Sequence, residues 1–186
     1  MGPRLGFPQG CEESHASPTC MTSDQWFRIV HLVDAHEAAA TLERWFVEEW
    51  APWYGQGGKG DARSDLAACR SRDELPICLV VVNADNEVLG TASLKSESVG
   101  SELGVGPWLA AVLVTEEHQG QGIGTALVQA IEETAARLGF EFIYTSSHTA
   151  GSILERRGWQ AFGRTESMRG PLTIYRWQVR DKTTSE

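Results

Sequence analysis

The sequence predicts an α+β fold, a three-layer α/β/α arrangement with a mixed central sheet of about seven strands between helices. Two observations carry this. Short apolar runs of strand length recur along the chain, as at 77–83, 88–95 and 108–114. The stretch 123–138 instead repeats its apolar residues at steps of four and three, the period of a helix with one buried face. At 186 residues a single domain with a real core is the default. An apolar content of 41% with 22% charged residues is that of an ordinary soluble globular protein.

The elements follow in order. Residues 1–22 are rich in Gly, Pro, Ser, Cys and Glu without periodicity, and are expected to be a disordered leader before a single domain over 23–182. Met21 is an alternative start, because ordered patterning begins just after it. The first strand is expected over 26–32. Asp34 then caps a helix reaching about Trp50, with Glu37 at capping-box spacing and Pro52 and Gly55 at its end. The segment 53–76 is polar and glycine-rich, with a short helix near 65–69. Strands at 77–83 and 88–95 flank Ala84-Asp85-Asn86-Glu87, a hairpin turn. A flexible loop, 96–106, leads to the fourth strand, 108–114.

In the 123–138 helix, Ile123, Leu127, Ile131, Thr134 and Leu138 share one face. Gln129, Glu132, Glu133 and Arg137 form the wet face, with Glu133 and Arg137 a helpful i,i+4 pair. A fifth strand at 142–145, a short helix near 149–156 and closing strands at 159–165 and 173–179 complete the chain. No internal repeat is present.

A net charge of −9 argues against nucleic acid as partner, since phosphate binding needs a basic face. It would suit a cationic substrate, although mild acidity also serves solubility alone. Cys11, Cys20, Cys69 and Cys78 form no Cys-x-x-Cys, so no metal is expected. Cys78, in an apolar strand, reads as a small buried hydrophobe. This usage suits a reducing cytosol, so a cytoplasmic protein is expected. No apolar run approaches membrane-spanning length, and the N-terminus lacks the order of a signal peptide.

The chemistry concentrates in Gln119-Gly120-Gln121-Gly122-Ile123-Gly124, between a strand and a helix. Three glycines in five residues let main-chain N–H groups turn around one anion, and the helix start adds free N–H groups and positive potential. A P-loop would need lysine after the last glycine, where Thr125-Ala126 stands. The dinucleotide pattern fails as well, because the sixth position is Thr125 or Leu127. The pattern left is Gln-x-x-Gly-x-Gly.

This loop resembles the acyl-CoA pyrophosphate loop of the GCN5-related N-acetyltransferases, the GNAT superfamily. The segment Leu138-Gly139-Phe140-Glu141-Phe142-Ile143-Tyr144-Thr145 is similar to the family's next helix end and fifth strand. Leu154-Glu155-Arg156-Arg157-Gly158-Trp159 is similar to its Tyr-Glu-Lys-Leu-Gly-Phe segment. The resemblance is clear over about 88–179 and looser over 24–87.

The resemblance implies that parallel strands four and five splay apart and that the gap takes the pantetheine arm of acetyl-CoA. Val112, Leu113 and Val114 would pair with its amides, as an added strand does. Gln119, Gly120, Gln121, Gly122, Ile123, Gly124 and Thr125 would hold the pyrophosphate, with no metal. The N–H near Val112 would polarise the thioester carbonyl. Two positions depart from the family pattern. Where some members carry a basic glutamate stands Trp108, which could wall the acceptor pocket or stack on a cation. Where many carry a thiolate-protonating tyrosine stands Leu154. Tyr144 is a substitute donor, though a strand tyrosine is more often core, and Ser147 and Ser152 are weaker ones. His148, and less so His118, could supply a base at neutral pH, but solvated loop histidines are common.

On the acceptor side, Trp50, Trp53 and Tyr54 gather near Glu48 and Glu49. Aromatic faces with carboxylates would suit a cation; equally, Leu42, Trp45, Phe46 and Trp50 would make a plain apolar stripe. The implied function is acetyl transfer from acetyl-CoA to a primary amine of a small, cationic molecule (an aminoglycoside, polyamine or amino-acid derivative) by direct attack in a ternary complex. A protein or peptide N-acetyltransferase, or an acyl-CoA-binding module with little catalysis, are the alternatives. Relatives of this kind frequently dimerise, so a homodimer is one expectation.

Overall fold

A computed structural model describes residues 26–179 of the chain. The expected leader over 1–22, Met21, Cys11 and Cys20 lie outside the described residues. Seven strands form one sheet in the order β1-β2-β3-β4-β5-β7-β6. They are β1 (Phe27–His31), β2 (Ile77–Asn83), β3 (Val88–Lys95), β4 (Trp108–Val114), β5 (Phe142–Ser147), β6 (Gln160–Ser167) and β7 (Gly170–Gln178). The helices are α1 (Ala39–Glu49), α2 (Ala51–Tyr54), α3 (Ala62–Ala68), α4 (Ile123–Arg137) and α5 (Gly151–Arg156). All strand pairs are antiparallel except β4 with β5. The β4–α4–β5 crossover makes that parallel pair.

Strand alternation builds two cores. On β2, Ile77, Leu79 and Val81 face α4, where Ile123, Leu127 and Ile131 meet them. Cys78, Val80 and Val82 face the other way, against Leu42 and Phe46 of α1 and Leu66 of α3. A strand buried on both faces reads as a continuous apolar run, which is why β2 was legible. The β2–β3 turn is held by Asn83, whose Oδ1 accepts from the amides of Asp85 and Glu87 at 2.9 Å each. Asn86 takes a left-handed φ of 63° there.

Three expectations need correction. Asp34 caps no helix: it lies in a 3-10 turn, Leu32–Asp34, and its carboxylate pairs with Arg72 at 2.7 Å. That guanidinium holds the Asp34 carboxyl below the usual carboxylate range. A second 3-10 turn, His36–Ala38, precedes α1, so the α-helix starts only at Ala39. The short helix α3 begins earlier than expected because Asp61 caps it, accepting from the Ser64 amide at 3.0 Å.

The third correction concerns α4. Glu132 is not on a wet face but 4% exposed. Its carboxylate takes Arg157 Nε at 3.0 Å, Arg157 Nη2, and Trp159 Nε1 at 2.8 Å. Arg137 reaches Asp73 rather than Glu133, which accepts from Gln129 instead.

The seam between β4 and β5 is short. Trp108 opposite Tyr144 is the one register pair, supported by the Tyr144 amide donating to Pro107 O at 2.9 Å. One residue further on, the Leu109 carbonyl is met by a side chain, Thr145 Oγ1, at 2.8 Å. A hydroxyl standing in for a ladder amide marks where the strands part. The β3–β4 ladder also breaks here, its register shifting between Thr91 opposite Leu113 and Ser93 opposite Ala110. Ala111 sits at the break with φ 53°, and Val112 beside it is 37% exposed. This is a β-bulge, which bends and twists β4 away from β5.

An alanine at positive φ is strained where glycine would not be. We expect Ala111→Gly to leave stability unchanged or raise it by up to about 1 kcal/mol, where a glycine in an ordinary strand interior would lower it. Urea unfolding measures the difference; a clear loss would mean that the bulge does not carry the strain.

Candidate active site

The glycine loop sits beyond the end of β4. After a 3-10 turn, Glu116–His118, the chain runs extended at Gln119 and then turns through Gly120 and Gly122 at φ 73° and 88°. A Cβ built at either glycine meets nothing within 4 Å, so packing does not require them. The backbone turn does, and it leaves their main chain bare on the open side. Gly122 is the N-cap residue of α4, and no side chain caps that end. The first intrahelical bond is Ala126 N to Gly122 O at 3.0 Å, so the amides of Ile123, Gly124 and Thr125 precede the ladder.

Side chains around the loop brace it and leave the amides alone. Gln119 Nε2 donates to Val114 O at 3.1 Å, and Gln121 Nε2 to Glu117 O at 2.9 Å. His118 shares a 2.8 Å hydrogen bond with Thr115 Oγ1 and packs 5.5 Å from the Trp26 ring. It is a brace for the turn. Glu116 and Glu117 are exposed. Uncapped amides at a helix start, in a glycine frame, make an anion cradle. From it the β4–β5 gap leads back past Val114, Leu113 and Val112 to its root at Trp108.

The two faces of that root differ. On the α4/α5 side stand Leu109, Leu154, Trp159 and Tyr175. On the other side Trp108, Tyr144 and Ile174 form a small cluster. Trp108 has no exposed surface, and its Nε1 donates to Val105 O at 2.8 Å. The wall reading of Trp108 is therefore corrected: its ring is core and its one donor is spent. Tyr144 is 7% exposed, between Trp108 at 5.7 Å and Phe162 at 5.3 Å. It faces away from α5, so the structure gives it the core role and not that of a donor toward that helix. Leu154 is buried, as its aliphatic side chain demands.

His148 stands exposed just beyond the end of β5. Ser147 Oγ accepts from the amides of Thr149 at 3.3 Å and Ala150 at 2.9 Å, which turns the chain into α5. Sequence reasoning missed Tyr175. Its β7 position pairs with Thr145, and its hydroxyl points at the first turn of α5.

On the α1 side of the sheet, Trp50 ends α1 and packs edge-on against Phe46 at 5.1 Å and Tyr54 at 6.5 Å. Trp53 is 43% exposed and lies over Gly60. Tyr54 donates to Asp65 Oδ2 at 2.6 Å, and Lys95 Nζ approaches the same oxygen at 3.2 Å. Burial, then the Asp65 bond, pushes the Tyr54 phenol well above its ordinary range. Lys95 lies opposite Trp108 in the ladder, so this cluster sits beside the root of the gap. Arg169, at the β6–β7 turn, pairs with Glu49 at the end of α1 at 3.0 Å. Among the described residues no group of three or more His, Cys, Asp or Glu could hold a metal ion, and no helix is long and apolar enough to cross a membrane.

The model of the Acetyltransferase (GNAT) family matches residues 40–159. No curated protein matches the chain. Among solved structures, a GCN5-related N-acetyltransferase from Kribbella flavida is 20% identical, with 84% of this chain and 100% of that one covered at a TM-score of 0.65. The Salmonella typhimurium protein yncA, solved with its cofactor acetyl-CoA, is 21% identical, covering 87% and 98% at 0.63. An aminoglycoside 6'-N-acetyltransferase complexed with coenzyme A is 16% identical, covering 83% and 98% at 0.64. At these identities the likeness is one of fold.

Proposed function

Since the chain belongs to the GNAT family of acetyltransferases, we propose that it moves an acetyl group from acetyl-CoA to the primary amine of a small, cationic molecule, by direct attack in a ternary complex. The observation that carries the cofactor half is the uncapped glycine cradle at the mouth of the β4–β5 gap. The fit of acetyl-CoA rests on that cradle, which takes a pyrophosphate, and on the gap behind it, which takes an extended arm. When bound, it supplies an activated acyl group with a thiolate leaving group.

The chain's own residues divide the remaining work. Amides of Gln119 through Thr125 hold the pyrophosphate. Val112, Leu113 and Val114 would offer main-chain partners to the arm, and the amide of Val112, which has no partner in the β3–β4 register at the bulge, would polarise the acyl carbonyl. An alkylamine is protonated at neutral pH, so its proton must leave before attack. Trp108, at the position of the family's basic glutamate, cannot take that proton; we assign the relay to water, with His148 as the imidazole just beyond β5. Trp50, Trp53 and Tyr54 present ring faces on the acceptor side, which favours a cation. An aminoglycoside, a polyamine or a basic amino-acid derivative each meets that description. Cytoplasmic residence and a homodimer accord with this reading.

The test is thiol release from acetyl-CoA across a panel of amines, with melting temperature recorded in parallel. Ligand bound only to the folded state stabilises it in proportion to ln(1 + [L]/Kd), so the shift reports the cofactor without an acceptor. Stabilisation with turnover on one amine class is the expected result. Stabilisation without turnover on any amine would point to a protein acceptor or a binding module. No stabilisation would overturn the reading of the glycine loop.

A further inference from the structure

Tyr175 carries a hydroxyl that the fold does not use. The residue is 8% exposed, on the β7 face that packs with Leu154 and Trp159. Among the described residues no hydrogen-bond partner meets its oxygen. The ring is buried, but the hydroxyl oxygen keeps some accessible surface, so it faces open space and is not sealed in the core. The ring is nonetheless held on a definite line, toward the first turn of α5. A Cβ built on Gly151 would stand 2.5 Å from the Tyr175 oxygen. Glycine at the head of α5 is thus what leaves room for this hydroxyl.

The location gives it a task. Tyr175 lies opposite Thr145 in the β5–β7 ladder, and Thr145 reaches Leu109 O where β4 and β5 part. The phenol is therefore one strand away from the gap, on its α4/α5 face. Gly151 and Leu154 share one side of α5, three residues apart. The oxygen of Tyr175 arrives from the sheet beside the turn whose own side chain, Leu154, has no proton.

We propose that Tyr175 is the proton donor to the departing CoA sulfur. This rests on the acetyl-CoA reading above. The amine lone pair forms the new C–N bond. The C–S bond breaks with its electron pair on sulfur, and the phenolic proton passes to that sulfur. Solvent returns a proton to the phenolate, balancing the one lost by the amine.

Tyr175→Phe removes only the oxygen, so folding is preserved and the melting temperature changes little. We expect kcat to fall by at least about a hundredfold, the low end for one acid catalyst, while acetyl-CoA affinity is kept. A readout independent of turnover is the titration of the CoA thiol bound to the protein, followed by thiolate ultraviolet absorbance. A donor hydrogen bond favours the thiolate, so the bound thiol should titrate at a pH higher by about one unit in Tyr175→Phe than in wild type. Gly151→Ala, which crowds the hydroxyl, should shift both readouts the same way. Unchanged kcat and thiol titration in Tyr175→Phe would overturn the assignment alone. A wild-type protein that is stabilised by acetyl-CoA but releases thiol with no amine would overturn it together with the transfer reading.

Discussion

Glu132→Ala is expected to lose about 3–5 kcal/mol of stability, the cost of removing one partner from a buried, hydrogen-bonded ion pair. Glu132 is 4% exposed, and its carboxylate takes donors from both Arg157 and Trp159. Removing it strands the Arg157 charge in a half-buried site and leaves the Trp159 N–H without its acceptor. Against a total of about 5–15 kcal/mol, that is a large share. The melting temperature should drop by roughly 10 °C, measured by calorimetry. Glu132→Gln keeps one acceptor oxygen for Trp159 and should lose less. A drop within the scatter of surface substitutions, about 0.5 kcal/mol, would mean that the network is ornamental to folding.

Gly122→Trp is expected to abolish acetyl-CoA binding while the protein stays folded. The indole would project from the N-cap residue of α4, where the cradle faces outward and no protein atom stands within 4 Å of a Cβ. With ligand at 100 times the wild-type Kd, the wild type gains about 2.7 kcal/mol, and the variant should gain almost none. The positive φ of 88° adds backbone strain of its own. Gly139→Trp controls for that strain: Gly139 has φ 78° and open space around its Cβ, but lies past the other end of α4. It should unfold more easily yet keep the full ligand shift. Equal shifts in Gly122→Trp and wild type would remove the loop from the cofactor site.

Local chemistry was legible in the sequence, and distant pairing was not. The bounds of β2, β3 and β4 follow from apolar runs between turn residues, and the structure returns the same limits. The glycine loop could be read because positive φ is a property of the residue itself. The start of α1 could not, because the carboxylate of Asp34 is claimed by Arg72 from a remote loop. Glu132 stands in a row with buried Val128 and Ala135, which a wider reading of the stripe would have included. What keeps it inside is Arg157 and Trp159, and no periodicity announces them. Ala111 carries no mark of the left-handed conformation that the bulge imposes. Trp108 and Tyr144 were open to two uses as aromatics near a site, and only their packing decides between them. Tyr175 was overlooked because its direction depends on a glycine in another element.

The single rung between Trp108 and Tyr144 divides the molecule mechanically. Strands β1 to β4 form one plate, and β5, β7 and β6 another. Across most of their common border the plates are not stitched by main-chain bonds. Among the links that span it are the α4 crossover, the packing of Trp108 on Tyr144 and Ile174, the hydroxyl of Thr145, the Glu132 network beneath, and the Arg169–Glu49 and Thr165–Glu102 pairs. Under tension, or in a brief local opening, the border should part before either plate unravels. An extended ligand threaded there would act as a suture, so its departure would loosen the whole body along one line.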